Sequence, residues 1–164
     1  MATNAHVVAG EDDTTVTTVD GASIEAVAVH YDPANDLALL HVGADLPVLP
    51  MAAGPKAGTA AAVLGYPENG PFAVSPARLG ETRETIGEDS YGRGPLMRSI
   101  AALRGSVRSG NSGGPLVDGG GRVLATVFAA TTAGTPGGFA VPNAVVAKAL
   151  RDAAGVVDTG PCAD

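Results

Sequence analysis

The 164-residue chain has no tryptophan, one cysteine, three tyrosines and three phenylalanines. A core with so few rings must be assembled from Val, Ala and Leu. The lone thiol, Cys162, excludes a disulfide within the chain and leaves either a free thiol or a partner outside it. Basic residues are scarce as well: ten Lys and Arg stand against 17 Asp and Glu, for a net charge of −7. No basic cluster is present, which argues against nucleic acid as a partner. No apolar run approaches the ~20 residues of a membrane span. No basic segment followed by an apolar one opens the chain, so no signal peptide is visible, and the chain reads as a soluble piece.

What the sequence does have is turn chemistry, with 23 glycines and 12 prolines. Such usage suits many short strands joined by turns. Thr14–Val19, Ser23–His30, Asp36–Val42 and Ala60–Tyr66 read as strands, by β-branched content, alternation or apolar runs between turn signals. Phe72–Thr85 reads as a strand pair or one long strand, weakly interrupted at Pro76 and Gly80. Glu88–Gly94 is a polar loop. Pro95–Leu103, Leu116–Asp118, Val123–Phe128 and Phe139–Val141 complete the set. Asn143 is placed to cap a helix over Ala144–Ala153. This pattern predicts an all-β barrel architecture with one C-terminal helix. The Pro-rich stretch Pro47–Pro55 reads as a linker, dividing a unit at 1–50 from one at 51–164.

Three segments carry chemistry: Thr3-Asn4-Ala5-His6-Val7-Val8, Asn35-Asp36-Leu37-Ala38-Leu39-Leu40 and Gly110-Asn111-Ser112-Gly113-Gly114-Pro115-Leu116. Acyl transfer needs a nucleophile, a base, a group that orients the base, and donors for the oxyanion. Ser112 is the candidate nucleophile, since a hydroxyl attacks only when a nearby base takes its proton. His6 is the candidate base, neutral in good part near pH 7. Asp36 would accept the other imidazole N–H and stabilise the imidazolium. Gly110 permits a backbone turn that aims its own N–H and that of Ser112 at one point; losing one such donor costs about 3–4 kcal/mol of transition-state stabilisation. Gly113 and Gly114 leave room for substrate and for His6. Each residue alone has a blander reading: a turn serine, a strand-entry aspartate, a surface histidine. Their joint order, His then Asp then Ser, is what makes the signal specific. His30 and His41 lack such context and read as strand-edge residues, so no metal or cofactor is called for.

On these residues the chain resembles the trypsin-like serine peptidases of the chymotrypsin fold, especially the bacterial HtrA-like and MarP-like branches. Val63–Phe72, Ser75–Arg78 and Thr159-Gly160-Pro161-Cys162 lean toward the MarP-like group. The resemblance implies two antiparallel β-barrels, with His6, Asp36 and Ser112 meeting in the cleft between them. It also implies a periplasmic, membrane-anchored protease linked to stress or acid resistance, acting on polypeptide substrates. Three departures stand out. Asn111 replaces the Asp that in many relatives pairs with a newly cut N-terminus. Phe128 stands where digestive members have a Ser bonded to the catalytic Asp, which leaves Asp36 to backbone N–H groups. Only five residues precede His6, where the family has further strands. The expectation is therefore a truncated N-terminal barrel, with Met1 an internal or misassigned start of a longer product. The membrane anchor and the partner Cys for Cys162 are then expected in the absent part.

The resemblance also places substrate contacts. Ser106 falls at the floor of the primary pocket, and with no acid there a preference for Lys or Arg is not expected. Gly138, Phe139 and Ala140 fall on the opposite wall, favouring a small or medium apolar side chain, with Arg108 as a route to an acidic preference. The backbone of Phe128, Ala129 and Ala130 is placed to pair with substrate as an added strand. Activity limited by neutral His6 should rise with pH through the imidazole range, about 6.5. The leading function is a serine endopeptidase. Its rival is an inactive protease-fold module that binds peptides or serves as a scaffold. A chaperone-protease with a following PDZ domain finds no room in the residues after the last helix.

Overall fold

A computed structural model describes residues 1–11, 13–132 and 134–163. The described elements run β1 (Ala2–Thr3), α1 (Ala5–Val8), β2 (Thr14–Thr17), β3 (Ser23–Asp32), β4 (Leu37–Val42), β5 (Ala60–Gly65), β6 (Ala73–Gly87), β7 (Leu96–Gly105), β8 (Pro115–Asp118), β9 (Val123–Ala130), β10 (Gly137–Pro142) and α2 (Asn143–Asp152). A 3-10 turn at Pro67–Asn69 joins β5 to β6. The strands form two antiparallel sheets. The first is open, in the order β1-β4-β3-β2, and the second closes into a barrel, β10-β7-β6-β5-β8-β9. Among the described residues no helix is long and apolar enough to cross a membrane.

The all-β architecture with a terminal helix follows the sequence expectation, and most differences are physical details. Phe72–Thr85 is one strand rather than two. Its break at Gly80 is a register shift against β7 between Leu79 and Thr82, a bulge that bends the strand without ending it. Asn143 does not cap α2. Pro142 occupies the cap position, and the Asn143 amide instead donates to the carbonyls of Ala52 (3.0 Å) and Val123 (2.8 Å). Those bonds tie the Pro-rich connection to the barrel. Ala52 N–H to Val123 O and Val123 N–H to Pro50 O, both 2.8 Å, complete that attachment.

The core is built from aliphatic side chains, as a chain poor in rings requires. Val63, Leu79, Leu103, Leu116, Leu124 and Val127 fill the barrel, with Ala101, Ala125 and Ala140 between them. β4 has a special position because Leu37, Ala38, Leu39 and Leu40 are all buried. Side chains alternate across a strand. Ala38 and Leu40 therefore pack with Val8, Ala26 and Ala28 inside the open sheet, while Leu37 and Leu39 pack with Val141 of β10 and Val146 and Ala149 of α2. One strand thus belongs to two cores and joins the open sheet to the barrel. The tail after α2 returns across the open sheet: Val157 N–H donates to Ala28 O (2.9 Å), and Thr159 Oγ1 donates to Glu11 O (3.3 Å).

Candidate active site

The three motif segments arrive at one place from three elements. His6 lies on α1, a single helical turn opened by Asn4. Asp36 lies at the end of the turn before β4. That turn is organised by Asp32, whose carboxylate accepts the N–H of Asn35 (3.1 Å) and its side-chain amide (2.7 Å). Asp36 itself sits at φ 52°, in the left-handed region that Asp tolerates better than most residues. Ser112 lies in the loop between β7 and β8. The loop closes on itself through Asn111 N–H to Arg108 O (3.1 Å) and Gly114 N–H to Asn111 O (3.0 Å).

His6 and Asp36 are in direct contact. His6 Nδ1 is 2.8 Å from Asp36 Oδ2 and 3.0 Å from Oδ1, and the His6 backbone N–H donates to Oδ1 at 3.0 Å. The carboxylate is buried and the imidazole about one-third exposed. This matches the carboxylate being held by backbone N–H rather than by a serine at position 128. Nδ1 must carry a proton to donate to the carboxylate, so in the neutral ring Nε2 is the basic nitrogen. Among the described residues Nε2 has no hydrogen-bond partner, and none joins it to Ser112 Oγ. Such bonds are often long before substrate is engaged.

The loop of Ser112 is held against the His6 segment by a residue that the motif reading passed over. Asn4 is wholly buried. Its amide NH2 donates to Asp36 O (2.9 Å), and its Oδ1 accepts Gly113 N–H (2.6 Å). One side chain therefore touches the Asp36 turn and the Ser112 loop while flanking His6. Gly113 is required here, since at φ 78° a Cβ would lie 2.5 Å from Thr3 Oγ1. The sequence signal was available, because Asn4 is part of Thr-Asn-Ala-His, but its partners are 32 and 109 residues away.

A second set of contacts joins the halves farther from Ser112. Ser90 N–H, in the loop between β6 and β7, donates to Pro33 O (3.0 Å) in the Asp36 turn. Tyr91 lies 2.7 Å from Tyr31 through the two hydroxyls and donates to Thr159 O (3.1 Å). Burial, and next the bond to Tyr91, raises the Tyr31 hydroxyl well above the usual tyrosine range.

The remaining expected positions are distributed as follows. Gly110 has φ 84°, and the N–H groups of Gly110 and Ser112 donate to no protein acceptor among the described residues. Val127 exchanges hydrogen bonds with the loop, donating to Gly114 O and accepting from Gly113 N–H, both at 2.9 Å. Beyond it, Ala129 and Ala130 pair with Phe139 and Gly138 of β10, Phe128 falls at the register shift between Val127 and Ala129, and none of the three pairs with β8 on the other edge among the described residues. The Phe128 ring stacks on Phe139 with centroids 6.4 Å apart and carries the Arg98 guanidinium 4.6 Å above it. Ser106 lines a recess of about 190 Å³ with Val107, Thr131, Thr132, Gly134, Pro136 and Gly137. Gly138 is buried beside Val107, and Ala140 lies in the barrel core with no exposed side-chain surface.

This arrangement defines a class: a β-barrel protein with an Asp-oriented imidazole whose segment is bonded, through Asn4, to the loop of a glycine-flanked serine. The trypsin-like peptidase domain family matches residues 1–125, and the chain belongs to that family. It is 43% identical to the serine protease Rv3671c of Mycobacterium tuberculosis over 98% of its own length and 41% of that protein. A probable periplasmic DegP-like serine endoprotease of Halomonas elongata is 34% identical over 74% of the chain and 25% of the relative. The crystal structure of the active form of the Rv3671c protease superposes with a TM-score of 0.91 at 42% identity, covering 99% of this chain and 74% of that one. The chain thus spans about two fifths or less of these two curated relatives, and the chymotrypsin-type fold agrees with the solved structure.

Proposed function

We propose that the protein is a serine endopeptidase that works through an acyl-enzyme on Ser112. The observation that carries this reading is the pairing of His6 Nδ1 with the buried Asp36 carboxylate, which leaves Nε2 as the basic nitrogen. In the first step Ser112 Oγ attacks the substrate carbonyl carbon and its proton passes to His6 Nε2. Asp36 stabilises the imidazolium by the bond it already makes. The N–H groups of Gly110 and Ser112 receive the negative charge that develops on the carbonyl oxygen. Collapse of the tetrahedral intermediate breaks the peptide C–N bond, and the leaving amine takes the proton from His6. Water then repeats the cycle on the ester, giving its proton to His6, and Ser112 regains a proton as the acid departs.

On this reading residues 1–50 supply the base and its orienting acid, and residues 51–164 the nucleophile and donors. The open edge of Phe128–Ala130 is suited to an added substrate strand. The recess beside Ser106 has no carboxylate in its lining among the described residues, which supports small or medium apolar side chains over Lys or Arg. Gly138, Phe139 and Ala140, expected on the wall opposite Ser106, are not among the described residues that line this recess. An extracytoplasmic site of action, with a stress or acid-resistance role and a membrane anchor in a longer product, is the matching cellular reading; the word periplasmic in the DegP-like relative's name supports the location alone.

A fluorophosphonate probe tests the proposal, since it reacts only with an activated serine. Labelling of the wild-type protein that disappears in Ser112→Ala is the expected result. A folded wild-type protein that takes up no label would favour the rival reading, a peptide-binding or scaffold module.

A further inference from the structure

We infer that the outer face of the barrel carries an accessory site for a carboxylate joined to an apolar group, formed by Arg78, Arg104 and the cavity beside them. The occupant with that chemistry is the carboxyl terminus of a peptide that ends in an apolar residue. The first observation is a charge arrangement that costs stability. Arg78 of β6 and Arg104 of β7 are directly opposite in the register, next to the Leu79–Leu103 pair. Leu79 and Leu103 enter the barrel core, and side chains alternate across a strand, so both arginines point outward, where they are exposed. Opposed residues hold their Cβ atoms about 5 Å apart, and like charges so placed destabilise a sheet. Carboxylates that could neutralise the pair are not scarce, with 17 Asp and Glu against ten Lys and Arg. Yet the ion pairs among the described residues are His6–Asp36, Arg83–Glu81, Arg122–Asp118 and Lys148–Asp152, and neither arginine takes part. Arg78 donates to Gly58 O. Arg104 donates to no protein acceptor through its side chain among the described residues.

The second observation is a cavity of about 350 Å³ whose lining includes Arg104. In the register of β10 with β7, Gly137 is opposite Arg104 and Phe139 opposite Ala102, so these four share the outer face. All four line the cavity, together with Thr135 and Pro136 of the loop between β9 and β10. That loop is braced by Gly137 N–H to Thr131 Oγ1 (3.1 Å) and Thr131 N–H to Gly137 O (3.0 Å). A largely apolar hollow therefore adjoins two cations that no carboxylate of the described chain neutralises. A guanidinium takes a carboxylate through two parallel N–H bonds. At a chain end the carboxylate and the last side chain branch from one Cα, so one can sit on the arginines while the other enters the hollow. An acidic residue inside an extended peptide does not fit as well, because its neighbours' side chains point to the opposite face.

The test is a titration followed by amide chemical shifts, using the full chain with Ser112→Ala so that the probe stays intact. The probe is N-acetyl-Ala-Val with a free carboxylate. Shifts should appear at Ala102, Arg104, Gly138 and Phe139. Binding should weaken roughly fivefold when Arg104→Gln or Arg78→Gln is added, and by a similar factor when the probe's carboxylate is replaced by an amide. Urea unfolding supplies a readout that a structural role would move. Arg104→Gln relieves the repulsion, so its midpoint should stay level or rise. Absence of binding, shifts confined to Ser106–Ser112, an amide probe that binds as well as the acid, unchanged binding in Arg104→Gln, or a lowered midpoint each overturns the site. The fluorophosphonate result bears on Ser112 alone, so either claim can fail without the other.

Discussion

In the first sheet β1 and β2 each have a neighbour on one side only, whereas every strand of the second sheet has two. Closure removes the unpaired edges that make a sheet open to further association. The supposed chemistry is split along the same line. The imidazole and carboxylate belong to the open sheet, and the serine and the free amides belong to the barrel. The base and its acid therefore depend on what ties the open sheet down: Asn4 to Gly113, Ser90 to Pro33, Tyr91 to Tyr31 and Thr159, and the two-sided burial of β4. The barrel can be regarded as the rigid reference, and the open sheet as the part whose placement is specified by contacts across the boundary.

The contrast can be broken from either side. Leu116→Ala opens a cavity in the closed core, where the side chain is fully buried, and should cost about 2–5 kcal/mol. Leu40→Ala in the open sheet should fall at the low end of that range, since a smaller core under an open edge collapses more readily. Urea unfolding of the two variants checks the order, and equal costs would argue that the sheets form one cooperative core. Asn4→Ala removes the bridge and leaves Gly113 N–H with Val127 O alone. It should cost about 1–3 kcal/mol in stability. It should also lower kcat by roughly tenfold or more through misplacement of the base. A kcat unchanged at that stability cost would show that the Asp36 turn and the Ser112 loop are aligned without it.

Tyr91→Phe should have the smallest effect, about 1 kcal/mol, because it removes one hydroxyl at the edge of the boundary. Its signature is in the titration. Tyr31 is raised chiefly by burial and next by the bond to Tyr91. An acid whose folded value is raised contributes stability present below its unfolded value, about 10, and lost as the pH climbs past it. Ultraviolet titration should find Tyr31 un-ionised where ordinary tyrosines ionise, and ionising at lower pH in Tyr91→Phe. An unmoved titration would remove Tyr91 from the account.

Much of this could be read from local sequence because the signals were local. The apolar run after Asp36 is β4, and the glycines around Ser112 mark a loop that must turn sharply and pack closely. The long strand at Ala73–Gly87 kept its pattern through Pro76 and Gly80. What escaped was short or long-range. β1 has two residues and α1 four, too few for any period to register. Asn143 has the composition of a cap, but Pro142 before it and two carbonyls from other elements decided its role instead. Asn4 works through groups 32 and 109 residues along the chain, and side-chain identity alone cannot announce that.

One consequence concerns β4. A strand with no idle face has no loose side on which to drift, so the residue at its entrance inherits the stiffness of everything gripping it. Asp36 stands at that entrance. His6 grips its carboxylate, and the four buried side chains that follow seat its backbone, like a hinge pin set in two separate blocks.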